Sequence, residues 1–220
     1  NLVSNAGVVA TDVTGVGTAR SGLAACTYDV NKGIMGFGHD GSVQGMTNLV
    51  SSSGVIATDV TAVGTARNDL AACSYGIDKG IFGFGNSGST QVGMTNLVSN
   101  TGVVGTDVAA VGTARQALAA CEYGGDKGIF GFGTITPATA ITNLVSNTGV
   151  VATDTTGVGT VRNFLASCEY GGDKGIFGYG TNSVTSNISL TNLVSSSGVV
   201  ATDVTGVGTA RQYLEACSFN

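Results

Sequence analysis

The tetrapeptide Asn-Leu-Val-Ser begins at Asn1, Asn48, Asn96, Asn143 and Asn192, so one sentence recurs with periods of 47, 48, 47 and 49 residues. A period of this size marks an array in which each unit is completed by its neighbours. It constrains the fold more than any single motif does. Every copy keeps the frame Thr-Asp, then Gly-Thr-x-Arg, then Leu-x-x-Cys. No shift of composition interrupts the series, so residues 1–220 read as one repeat-built domain.

Each copy holds four short runs, typified by LAACEY, KGIFGFG, the NLVS segment and GVVATDV, all bounded by Gly, Asn, Asp or Ser. Short runs punctuated in this way predict strands, and none carries a helical apolar period of useful length. The chain has 36 glycines, one proline and only 10% charged residues, which suits a sheet protein with many tight turns. Four strands in about 47 residues predict an all-β fold: a β-propeller of four-stranded antiparallel blades, about five in number. A β-solenoid is the rival architecture. In a blade, Tyr123-Gly124-Gly125-Asp126-Lys127 supplies a hairpin, and Ile129-Phe130-Gly131-Phe132-Gly133 alternates bulk with gaps that a neighbouring copy can enter. The second strand occurs only four times, at 32–38, 79–85, 127–133 and 174–180, so the last unit is incomplete. A five-bladed ring whose chain runs past these ends is expected, with a piece of a larger ring as the alternative.

Net charge is −5 with nine basic residues, which leaves no basic patch for nucleic acid, and no apolar run is long enough for membrane insertion. Cys26, Cys73, Cys121, Cys168 and Cys217 occupy one equivalent site and lack metal-ligand spacing. They are expected to be free and mostly buried thiols, which favours assembly in a reducing cytosol. Asp and Arg recur eight residues apart as Asp12 with Arg20, Asp59 with Arg67, Asp107 with Arg115, Asp154 with Arg162 and Asp203 with Arg211. These predict structural pairs at strand ends rather than a ring of metal-binding carboxylates. The G-x-G-x-x-G matches at 36–41 and 83–88 precede a loop and a strand, not a helix, and so are no dinucleotide fingerprint. His39 is the only histidine and has no recurring nucleophile beside it, so no catalytic residue and no cofactor is expected.

The copies differ in two places. One is the pair after each Arg: Ser21-Gly22, Asn68-Asp69, Gln116-Ala117, Asn163-Phe164 and Gln212-Tyr213. The other is the stretch after each second strand, at 39–46, 86–94, 134–141 and 181–190, which varies in length. Turns of a meandering blade alternate between the two faces, so both variable sites are expected on one face. Binding residues favour loops on a rigid scaffold. The candidate contacts are His39, Asp40, Asn68, Asp69, Asn86, Gln116, Asn163, Phe164, Gln212 and Tyr213.

The order Arg115, LAACEY, Gly-Gly-Asp-Lys, GIFGFG, TNLVSN, VVATDTT and Arg162 resembles the Kelch repeat, and the likeness covers the whole chain. Two departures are clear: Gly-Phe-Gly replaces the adjacent Gly-Gly, and the fourth-strand Trp is absent. The wording is also similar to repeats of marine bacteriophage structural proteins. These resemblances imply a non-catalytic interaction module on a virion or extracellular surface, or in the cytoplasm as the alternative. Its partner would be another protein, such as a virion component, or a surface glycan. The competing readings are an architectural spacer and an enzyme on a propeller, such as the Kelch-like galactose oxidase. The enzyme would need a Tyr, His and Cys metal cluster that one histidine does not supply.

Overall fold

The computed structural model describes residues 1–4, 6–182 and 186–218. Among them every regular element is a strand, so no helix is long and apolar enough to cross a membrane. Twelve strands form four antiparallel sheets of three. The first sheet holds β1 (Ala24–Tyr28), β2 (Lys32–Gly36) and β3 (Thr47–Val50), and the second β4 (Ala71–Tyr75), β5 (Lys79–Gly83) and β6 (Thr95–Val98). The third holds β7 (Ala119–Tyr123), β8 (Lys127–Gly131) and β9 (Thr142–Val145), and the fourth β10 (Ala166–Tyr170), β11 (Lys174–Gly178) and β12 (Thr191–Val194). Register repeats from sheet to sheet: Cys73 opposes Ile81, and Cys121 opposes Ile129. The hairpins fall at the Tyr-to-Lys turns, as the sequence predicts.

Two expectations need correction. Four units of three strands stand in place of five blades of four. The fourth segment of each unit touches its sheet only through isolated bridges, Val50↔Ile56 and Thr47↔Val60 in the first. Three steps along β3 there face four along the fourth segment, so one residue is extra and a continuous ladder is impossible. The gap is filled by a side chain: Asn48 Nδ2 donates to the Ala57 carbonyl at 3.1 Å. In the fifth copy the LEAC stretch forms no strand and has no ladder partner among the described residues. The last two residues of that copy lie outside the described residues.

The sheets pack copy against copy, with β1 against β4, β4 against β7 and β7 against β10. Phe37 meets Phe82 edge-on at 5.2 Å between ring centroids, Phe84 meets Phe130 at 5.2 Å, and Phe132 meets Phe177 at 5.3 Å. All six rings are fully buried. The glycine between the two aromatics makes this possible. A Cβ on Gly83 would lie 2.7 Å from Phe130 Cζ of the next unit. A Cβ on Gly178 would meet, among the described residues, only Thr191 Cγ2 at 3.3 Å.

Gly83→Ala is therefore expected to lower stability by about 1–3 kcal/mol through overpacking. Gly178→Ala should cost clearly less in the same urea titration. Equal losses would show that the gaps do not serve the neighbouring ring.

Candidate functional site

The site rests on an arginine. Arg67 is fully buried, and its guanidinium lies over the Phe37 ring of the preceding unit, 4.1 Å from the centroid. Within its own unit Nε donates to the Phe84 carbonyl at 2.8 Å, Nη1 to the Thr65 carbonyl at 3.0 Å and Nη2 to Asn96 Oδ1 at 2.6 Å. Arg115 and Arg162 stack in the same way over Phe84 and Phe132. Burial pulls all three down to about 10, while Asp107, Asp154 and Asp203 respectively pull them back up. They remain charged at neutral pH.

The Asp–Arg pairs of the sequence reading thus take a different partner. Arg20 Nη1 lies 3.6 Å from Asp59, not beside Asp12, and Arg162 Nη1 lies 3.7 Å from Asp203. Arg67 faces Asp107 and Arg115 faces Asp154. Eight extended residues span about 26 Å, so the eight-residue spacing carries the chain from one unit to the next. Asp12 instead accepts a hydrogen bond from Asn1 Nδ2 at 2.9 Å, and Arg211 lies over the Tyr179 ring. Burial works to raise the Asp107 carboxyl, but hydrogen bonds from Thr65 and Asn96 and the Arg67 charge outweigh it and hold it below the usual range. The carboxylate comes so close that a Cβ on Gly64 would sit 2.3 Å from Asp107 Oδ1. The glycine of Gly-Thr-x-Arg follows from this contact.

Each arginine delivers the two residues after it to one face. The first bridges the residue that ends the second strand's extension: Ser21↔His39, Asn68↔Asn86, Gln116↔Thr134 and Asn163↔Thr181. That residue bridges back to the returning loop at Val43, Gln91, Ala138 and Asn187 respectively. The structure therefore brings both variable sites together, although 183–185 of the last loop lie outside the described residues. Several candidates are engaged in joining units or shaping loops. Asn86 Nδ2 donates to Gln116 Oε1 of the next unit at 2.5 Å, and Asn163 Nδ2 donates to Thr134 Oγ1 of the preceding one. Asp40 accepts from Gln44 Nε2 at 2.7 Å, which with the Ser42 amide holds its carboxyl below the usual range. His39 Nδ1 accepts from the Gly41 amide at 3.2 Å. Gln212 is half-buried and makes no bridge among the described residues.

The second residue after each arginine behaves differently. Gly22, Asp69, Ala117, Phe164 and Tyr213 all have positive φ, between 49° and 60°. They are chained by backbone hydrogen bonds: Asp69 N to Gly22 O, Ala117 N to Asp69 O, Phe164 N to Ala117 O and Tyr213 N to Phe164 O, at 2.8–3.1 Å. All five line one cavity of about 290 Å³, with the leucines from Leu23 to Leu214 as its floor and Glu215 beside them. Phe164 and Tyr213 stack at 4.2 Å between centroids with planes tilted by 36°. Burial raises the Asp69 carboxyl, opposed by the nearby His39, and burial likewise raises Glu215. Glu215 escaped the sequence reading. Its signal was present, since Leu214-Glu215-Ala216-Cys217 breaks the small-residue pattern that the other copies keep.

The cysteines all line a larger open groove beyond these leucines. All five are free. Cys73 and Cys121 are buried, Cys26 and Cys168 half-buried and Cys217 exposed. Cys73 Sγ packs where a Cβ on Gly128 of the next unit would sit 2.5 Å away. Burial pushes the Cys26 and Cys121 thiols up to about 12. Glu122, at the same groove, is raised to about 7 by burial, with Glu169 and Asp126 adding to it. Among the described residues no three His, Cys, Asp or Glu side chains gather as metal ligands would. No protein-family model matches the chain, and no curated protein matches its sequence.

Two outcomes are expected. Arg67→Ala should lose about 3–5 kcal/mol in a denaturant titration, because truncation strands the groups it satisfies. Arg67→Lys should recover only a minor part, since an ammonium has no planar fork to stack and bond together. In the folded protein a thiol reagent should label Cys217 quickly and leave Cys73 and Cys121 untouched until denaturant is added. Rapid labelling of Cys73 would contradict the packing of Cys73 against Gly128.

Proposed function

We propose that the protein is a non-catalytic, Kelch-like propeller whose variable face binds a protein partner. The observation that carries this reading is the division of labour between positions. The arginine, phenylalanine and glycine contacts that join the copies are repeated, whereas the two sites that vary are bridged to each other on one face. A ring is favoured over a straight row by the cavity. Equivalent residues from all five copies line one space of about 290 Å³.

The resemblance to phage structural repeats supports a virion or extracellular surface as the location, with a virion or host-surface protein as the partner. Free thiols fit assembly in a reducing cytosol before release. A surface glycan is the second reading, favoured by the exposed Tyr213 ring beside Phe164, an aromatic platform of the kind sugars stack on.

The test compares two variants with the wild type on purified virion proteins and on a glycan array. One carries the 134–141 loop in place of 39–46, 86–94 and 181–190. The other replaces the hairpin turns at 124–126 and 171–173 on the opposite face. Binding lost in the first and kept in the second is expected. The reverse result would move function to the repeated face, and no binding in any form would leave the spacer.

A further inference from the structure

Residues 1–4 are worded as a third strand and make a third strand's contacts. Leu2 packs where a Cβ on Gly54 would sit, as Leu49 does at Gly102. Asn1 Nδ2 donates to the Ala10 carbonyl at 2.7 Å and to Asp12 at 2.9 Å, as Asn48 does to Ala57 and Asp59. Residues 214–217 take a first strand's place, since Glu215 and Ala216 line one narrow space with residues of β1, β4, β7 and β10. In each of the four sheets a second strand lies between segments of these two kinds. Here both edges are open. Val3 is 61% exposed, whereas its equivalents Val98, Val145 and Val194 are fully buried. Cys217 is exposed, whereas Cys73 and Cys121 are buried.

The adjoining units carry the matching sockets. A Cβ on Gly131 would lie 2.6 Å from Phe177 Cζ, but one on Gly178 would meet only Thr191 among the described residues. Arg211 lies over the Tyr179 ring as Arg162 lies over Phe132. Yet Arg211 is exposed, and its side chain makes no hydrogen bond among the described residues. Arg67 and Arg115 each give Nε to a phenylalanine carbonyl just beyond a second strand. Arg20 is the converse case: its Nε reaches the Phe37 carbonyl at 2.7 Å, but among the described residues no ring lies beneath it.

We propose that this position is a strand-acceptor site, which takes an extended segment of a partner protein with the chemistry Gly-Ile-Phe-Gly-Phe-Gly. The inference uses the ring arrangement proposed above but not its variable face. Main-chain hydrogen bonds to the two edges supply affinity, and the alternating side-chain places supply specificity. The occupied positions specify the segment. Its first glycine lies against Cys168, as Gly175 lies against Cys121. Its isoleucine stands between Cys217 and Leu2, as Ile81 stands between Cys73 and Leu97. Its first ring enters at Gly178 and meets Tyr179 edge-on, as Phe177 meets Phe132. The carbonyl of its second aromatic residue accepts from Arg211 Nε, and that ring passes beneath Arg20. A second copy of this chain fits less well, because each of its second strands is already paired on both sides.

The experiment titrates the whole chain with the acetylated, amidated peptide Lys-Gly-Ile-Phe-Gly-Phe-Gly. It is read by calorimetry, by melting temperature and by the rate at which a thiol reagent labels Cys217. Saturable binding is expected, with a raised melting temperature and labelling of Cys217 slowed by about tenfold or more. Three comparison peptides carry valine for the first glycine, alanine for the first phenylalanine, or a scrambled order. Each should bind weaker by about tenfold or more. Gly178→Ala takes up the place of the incoming ring, so it should weaken the parent peptide by a similar factor while the free protein stays folded. A scrambled peptide equal to the parent shows pairing with any open edge and overturns the proposal. The valine peptide bound as tightly as the parent, binding that leaves Cys217 labelling unchanged, or no binding of the parent peptide each overturns it too. The variant with the 134–141 loop in all variable places should bind the peptide as the wild type does. Failure of the variable-face reading therefore leaves this site standing, and failure of the peptide leaves that reading standing.

Discussion

A guanidinium enclosed between two copies holds this structure together. Arg67 is out of contact with water, stacked on Phe37 of the preceding unit and bonded to Phe84, Thr65 and Asn96 of its own. Burying a charge is costly unless its donors are satisfied, and here three neutral acceptors take the donors while Asp107 supplies the counter-charge. Much of the repeated wording follows. Phe37 and Phe84 sit at φ of 64° and 63° because that backbone turns each carbonyl toward one arginine and each ring toward the next. Asn96 is needed twice, accepting from Arg67 and donating to Asp107 at 2.9 Å. Gly64 is required because the carboxylate occupies the place of a side chain.

Contacts of this kind reach one copy forward and one back. The Phe84–Phe130 edge contact, the approach of Gly83 to Phe130 and that of Cys73 to Gly128 each join nearest neighbours. Stability is then a sum of unit and interface terms, and a substitution in a repeated position damages an interface in every copy that carries it. Substitutions accumulate where the neighbour is met through the backbone or through exchangeable polar side chains, as at Asn86–Gln116 and Asn163–Thr134. That is why the residues after each arginine and the loops after each second strand differ, while Gly-Phe-Gly changes only from Phe to Tyr at 179.

Much of this was legible in the sequence. Strand type, hairpin positions and free cysteines follow from local wording, and local wording suffices for features closed within one copy. The partner of each arginine was not legible, for a reason inherent in repetition. When Asp59, Asp107 and Asp154 are chemically the same residue, a spacing of eight and one of about forty fit the same sequence equally well. Only the reach of the chain decides between them. The fourth segment misled for a different reason. GVIATDV has strand wording, yet a single extra residue between Ile56 and Val60 breaks the ladder, and the Asn48 side chain that replaces it reads as one more polar residue. Glu215 is not legible as a pocket residue because it sits inside an otherwise constant Leu-x-x-Cys frame.

The residue two places after each arginine separates packing from purpose most clearly. A left-handed backbone costs a residue with a Cβ about 1–2 kcal/mol, and glycine would avoid it, as Gly22 does in the first copy. Phe84 and Phe132 offset the same strain by burying their rings under an arginine. Tyr213 does not, for it is 71% exposed. Strain alone does not choose a face, since Val30 and Ile77 on the opposite hairpins are also left-handed, at φ of 57° and 76°, and 76% and 70% exposed. Those two stand on the rim of an open groove, and the equivalent positions in the next two units are Gly125 and Gly172. Asp69, Ala117, Phe164 and Tyr213 instead line one smaller pocket, each with a different side chain. The left-handed backbone at these positions is repaid by the hydrogen bonds that chain one copy to the next, so the fold fixes their conformation and leaves their side chains free to differ.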